Sequence, residues 1–177
     1  MKFKVFRIVL TMALIALIAG CASAGRYKNP NTDTILTIKL NDTLKELVKK
    51  GKHYFAQEWN VYSSENCSRE EGYGKTAYFS DWYINKTEEK TSLPTDKRVY
   101  IEATIVIEPK AEPVRNHCSG VVSFKPEKNT EYVAEQYVFT DKSDGESHCK
   151  IEIKDAATNK APDSLLVHKN CGDHLFF

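Results

Sequence analysis

The sequence predicts a mainly β protein, an antiparallel β-sandwich with one short helix near the start of its folded part. Three observations lead there. Short runs rich in β-branched and aromatic residues recur along the chain. Turn-forming Pro, Gly, Asn and Asp separate them. The last third alternates apolar and polar residues with a period of two, as a half-buried strand does. A length of 177 residues suits one such domain and leaves little room for a second.

The elements follow in order. Residues 34–40 are rich in β-branched residues and read as a first strand. Thr43-Leu-Lys-Glu46 matches a capping box, Leu44, Leu47 and Val48 share one helical face, and Gly51 can stop the helix. At about two turns it depends on packing for its stability. From residue 52 the period becomes that of strands. Residues 53–62 and 76–84 carry Tyr54, Phe55, Trp59 and Tyr62, then Tyr78, Phe79, Trp82 and Tyr83, with a polar loop at 63–74 that holds Cys67. A long strand over 97–108 ends at Pro109. In 118–124, Cys118, Gly120, Val122 and Phe124 share a face, and strand 131–140 leads to a turn signalled by Asp144-Gly145. Strand 148–154 points Cys149, Ile151 and Ile153 inward and His148, Lys150, Glu152 and Lys154 outward. A short strand at 165–167 precedes Cys171 and the Leu175-Phe-Phe177 tail.

The first twenty residues read as a targeting signal. Lys2, Lys4 and Arg7 precede an apolar stretch from Ile8 to Ile18 that is too short for a permanent membrane span, and it closes with Ile18-Ala19-Gly20-Cys21. This resembles the lipobox of bacterial lipoprotein signal peptides, with Ile18 where that family prefers Leu. The resemblance implies a diacylglycerol group on Cys21 and cleavage before it. Ala22 in place of Asp implies sorting to the outer membrane, facing periplasm or cell surface. A general secretory signal cleaved after Ala22 or Ala24 is the alternative. Residues 21–33 then form a small, polar, lipidated tether, and residues 34–177 the domain. Without residues 1–20, 22 Lys+Arg face 24 Asp+Glu, a net charge of −2. No basic surplus exists for broad phosphate neutralisation, so nucleic acid is not an expected partner.

Setting Cys21 aside leaves Cys67, Cys118, Cys149 and Cys171, an even set that suggests two disulfides in an oxidising compartment. Successive gaps of 51, 31 and 22 residues match no standard zinc pattern. Alternation places Cys118 and Cys149 on core faces and favours Cys118–Cys149 together with Cys67–Cys171. Loop-closure entropy gives the first about 3.5 kcal/mol and the second nearer 4.7. His117, His148 and His174 lie close to cysteines, which raises a mixed metal or hydrolytic site. His117 and His148 would meet on an outer face if their neighbouring cysteines are bridged.

Other motif fragments fail on spacing. Gly72-Tyr-Gly74-Lys75-Thr76 ends like a P-loop, but Arg69 stands where its first Gly belongs. Taking Gly145 as position six of a calcium loop puts Thr140 and Lys142 at ligand positions. Neither a Gly-x-Ser-x-Gly elbow nor a His-Glu-x-x-His helix occurs, so no catalytic residue, metal or cofactor is assigned. The aromatics remain. Tyr54, Trp59, Tyr78 and Trp82 are candidates for an exposed surface that recognises an envelope protein or glycan, made amphipathic by Lys97, Arg98 and Arg115. Core packing with cross-strand pairing is the competing account of the same rings.

Residues 97–155, with a Cys-containing strand, a Phe-Lys-Pro turn and a return strand, resemble small outer-membrane lipoproteins with transthyretin- or immunoglobulin-like sandwiches. That resemblance implies a non-catalytic envelope role in binding, assembly or structural support. Two alternatives stay open: an inhibitor that plugs a lysozyme or protease with loop 63–74 or 140–147, and a His-centred hydrolase or metal protein.

Overall fold

The computed structural model describes residues 27–49, 53–67, 73–81, 86–109, 116–140 and 147–168. Residues 1–26, which hold the predicted signal and Cys21, lie outside them, as do Trp82, Tyr83, Arg115, Asp144, Gly145, Cys171 and His174.

Alternating polarity sets the architecture. In β1 (Ile35–Lys39), Leu36 and Ile38 face inward and are fully buried. The chain then turns through α1 (Asp42–Lys49) into β2 (His53–Tyr62). Next come β3 (Gly74–Ser80), β4 (Glu88–Ser92) and β5 (Val99–Pro109). The last strands are β6 (Asn116–Phe124), β7 (Glu131–Thr140), β8 (Ser147–Asp155) and β9 (Leu166–His168). They form two sheets, ordered β4-β1-β7-β8 and β3-β2-β5-β6-β9. Leu36, Ile38, Ala134, Ile151 and Ile153 of the first meet Trp59, Phe79, Ile101, Ile105 and Val122 of the second in one core. At one end of it Phe124 packs edge-on against Tyr132, ring centroids 4.9 Å apart. This is the sandwich that the alternation predicts.

Three details depart from the sequence reading. The helix is capped by Asn41, not Thr43: the backbone N–H of Leu44 donates to Asn41 Oδ1 at 3.0 Å. Thr43 is exposed, while the buried Asn41 also donates its amide to the carbonyl of Gln136 and so serves helix and sheet together. Strand β4, Glu-Glu-Lys-Thr-Ser, has no apolar alternation to announce it. As a charged edge it needs none, because only its inner side touches the domain. The sandwich is also not wholly antiparallel, since β1 pairs with β7 in parallel, Ile35 opposite Glu131 and Lys39 opposite Glu135. Parallel neighbours need a long crossover, and here that crossover includes most of the opposite sheet.

The sheets come closest where β6 faces β8. Cys118 and Cys149 are disulfide-bonded with Cα atoms 5.7 Å apart. Two residues further on, Gly120 lies against Ile151, whose Cγ1 would be 3.4 Å from a Cβ built at that position. Beside the disulfide, the space between Gly120 and Ile151 admits a methyl group at van der Waals contact.

Candidate functional site

Strand register builds a trench across the outer face of the five-stranded sheet. Ala56 is paired with Ser80 on one side and Val106 on the other, a row of small side chains running across the strands, and Val106 pairs in turn with His117. Tyr54, paired with Glu108, stands on one flank of that row. Tyr78, paired with Glu58, stands on the other. Positions 54 and 58 of β2 lie about 13 Å apart at the usual strand rise, which sets the spacing of the two flanks. The resulting cavity, about 310 Å³, is lined by Tyr54, Ala56, Tyr78, Ser80, Val106 and Glu108, with Asp81 just past the end of β3.

Tyr54 is 48% and Tyr78 42% exposed, whereas the next residues, Phe55 and Phe79, are core. Lys75 pairs with Glu58 and holds its ammonium 5.1 Å from the centre of the Tyr78 ring. Further along the same face, Tyr62 Oη donates to Glu102 Oε2 at 3.0 Å, and Asn60 Nδ2 donates to Glu58 Oε1 at 3.3 Å.

Two of the four aromatic candidates, Tyr54 and Tyr78, therefore reach the same surface. Trp59 does not: it is fully buried, because odd-numbered positions of β2 face the opposing sheet, and the largest side chain of the strand fills the core. Trp82 lies outside the described residues. Lys97 and Arg98 are not beside the tyrosines either. The antiparallel register of β5 on β2 sends them to the other end of the sheet, past Tyr62. There Lys97 lies over the Tyr73 ring, and Arg98 donates to Ser123 Oγ and the Ser164 carbonyl, each at 3.0 Å.

The histidines are separated by the disulfide that was expected to unite them. Cys118 and Cys149 point inward from opposite sheets, so His117 and His148 point to opposite outer faces and cannot share a metal or a substrate. His148 instead packs near Phe139, ring centroids 5.8 Å apart. Cys67 is disulfide-bonded as well; its expected partner Cys171 lies outside the described residues, as does His174. Among the described residues no group of three or more His, Cys, Asp or Glu is placed to hold a metal ion.

Sequence reasoning missed a second polar cluster. His168 Nε2 lies 2.7 Å from Ser123 Oγ, and the His168 ring packs near Tyr100, centroids 5.6 Å apart. The Ser–His contact is not a nucleophile and base, since Ser123 is fully buried and Arg98 also donates to its oxygen. It pins β9 to β6. The signal for it lies in residues 45 positions apart, which no local pattern reveals.

No protein-family model, curated protein or solved structure matches the chain. Among the described residues no helix is long and apolar enough to cross a membrane.

Proposed function

We propose that the chain is an outer-membrane lipoprotein, anchored through Cys21, with a non-catalytic envelope role. Its disulfide-stapled sandwich presents the Tyr54–Tyr78 trench to a protein or glycan partner. The address rests on the lipobox-like Ile18-Ala19-Gly20-Cys21. The docking role rests on one observation: two tyrosines stay exposed on opposite flanks of a trench floored by small side chains, while neighbouring aromatics are used as core. Tyrosine is favoured at recognition surfaces because it offers a large rigid contact area with a polar tip.

Two experiments test this reading. Cells fed a radiolabelled fatty acid should label the native chain but not Cys21→Ser, and the variant should leave the membrane fraction; membrane retention without label overturns the anchor. A photo-crosslinking phenylalanine placed at Tyr54 should trap one discrete envelope species in intact cells. The same probe at Phe139, on the outer face of the other sheet, should not. Identical products from both positions, or none from Tyr54, overturn the docking surface.

A further inference from the structure

We propose that the outer edge of β8, from Cys149 to Ile153, takes one further antiparallel strand, an extended peptide segment that alternates apolar with charged residues. This surface is separate from the Tyr54–Tyr78 trench. Three features carry it. The first is an open ladder: β8 ends its sheet, and among the described residues no strand lies on its far side. Its main chain points there. The N–H of Ala156 donates to the carbonyl of Glu131 in β7, whereas the N–H of Asp155 donates to the Lys160 carbonyl and its own carbonyl accepts from Asn159. Asp155 thus turns its main-chain groups away from β7. Alternation along an antiparallel ladder turns those of Ile153, Ile151 and Cys149 the same way.

The second feature is that the opposite sheet runs one strand further. β6 lies against β8, joined to it by the Cys118–Cys149 disulfide and the Gly120–Ile151 contact, and β9 lies beyond β6. Val167 of β9 is paired with the core residue Val122, so its side chain faces the interior side of the sheet. It is nevertheless 79% exposed, because β9 overhangs the edge of the other sheet. A strand beside β8 covers Val167 as β8 covers β6. The place is one strand wide: a second copy pairing through its own β8 would bring its β6 onto β9, so a single segment fits where a second sandwich does not. The third feature is the charge pattern of β8. Lys150, Glu152 and Lys154 alternate in sign on its outer face, both lysines paired with Glu152. The complementary segment carries acidic, basic and acidic residues at its outward positions, with apolar ones between them facing Val167. The receiving stretch ends before the His148–Phe139 pair.

The test uses the full chain in detergent and a fluorescent heptapeptide with blocked ends, read by polarisation. The peptide has threonine at each end and glutamate, valine, lysine, valine and glutamate between. Methylating the backbone nitrogens of its valines, which face β8, should weaken binding about tenfold or more, and methylating those of its glutamates, which face solvent, less than about threefold. Exchanging glutamate and lysine in the peptide should weaken it about threefold, and Lys150→Glu should weaken the original peptide by a similar factor. Val167→Asp should weaken it about fivefold with circular dichroism unchanged, since that side chain is already exposed. Equal sensitivity to the two methylations, or no binding of the unmethylated peptide, overturns the proposal. Binding lost in Tyr54→Ala but kept in Val167→Asp places the peptide in the trench and overturns it too.

Discussion

Gln57 Nε2 donates to Gln136 Oε1 at 2.8 Å across the interior of the sandwich, with both side chains fully buried. Gln136 passes the connection on, its own amide donating to the Ala103 carbonyl at 2.9 Å while its backbone carbonyl accepts from Asn41. One polar chain thus links helix cap, β7, β2 and β5. A buried amide is costly when left unpaired, so the two glutamines are not equivalent. Gln136→Leu strips partners from both Gln57 and Ala103. Gln57→Leu orphans one oxygen and also removes Gln57 Oε1, which already has no partner. Gln136→Leu should cost about 2–3 kcal/mol and Gln57→Leu nearer 1 in urea denaturation. Equal losses would mean that the chain is not organised around Gln136.

The Cys118–Cys149 disulfide joins the two sheets directly. The paired Cys118→Ala/Cys149→Ala variant should lose about 2–4 kcal/mol of stability, read from urea midpoints under non-reducing conditions. A smaller change than about 1 kcal/mol would show that packing around Gly120 already holds β6 to β8.

Gly120 has an ordinary backbone, not the left-handed one that glycine alone tolerates; Gly74 is the described glycine with positive φ. A methyl at 120 would touch Ile151 at van der Waals distance. Gly120→Ala should therefore be neutral or stabilising by up to about 1 kcal/mol, since it restricts the unfolded chain. Gly120→Val adds atoms that the contact with Ile151 does not admit and should destabilise by about 1–3 kcal/mol. Calorimetric melting of the two variants distinguishes them.

Two carboxyls near the end of β8 make stability depend on acid. Hydrogen bonds from Lys150 and Lys154, at 2.7 and 2.9 Å, hold Glu152 below the usual carboxylate range. The backbone N–H groups of Thr158 and Ala157 do the same for Asp155, each at 2.8 Å. Groups whose folded-state pKa is lowered stabilise the fold above their unfolded pKa, about 4, and lose that contribution as pH falls through the folded value. The melting temperature should therefore drop in that acid range. Asp155→Asn keeps an oxygen for the turn but cannot titrate, so its melting temperature should fall less steeply over the same range. A parallel decline in both proteins would remove Asp155 from the account.

Strand positions were legible wherever one face alternates. β8 follows its pattern residue by residue, and the facing of Cys118 and Cys149 came with it. Alternation says which residues share a face of one strand, but not which strands are neighbours. Hence the parallel β1–β7 pair, the charged edge β4 and the capping Asn41 needed the tertiary structure. The trench shows the same division. Tyr54 and Tyr78 stand out in the sequence, yet so does Trp59, and only the parity of β2 separates a surface ring from a core one.

The parallel pairing of β1 with β7 also constrains the order in which the domain can form. β1 is central in its sheet, between β4 and β7, and its ladder partner Glu131 lies 96 positions after Ile35. A strand made early waits for strands made late, so the four-stranded sheet, which ends in β8, cannot close until the chain has been delivered past Asp155. Pairings this distant in sequence slow folding toward the millisecond-to-second range. During that interval the apolar face of β1, Leu36 and Ile38, lacks its final cover, and an uncovered strand of this kind is the surface through which incompletely folded chains aggregate.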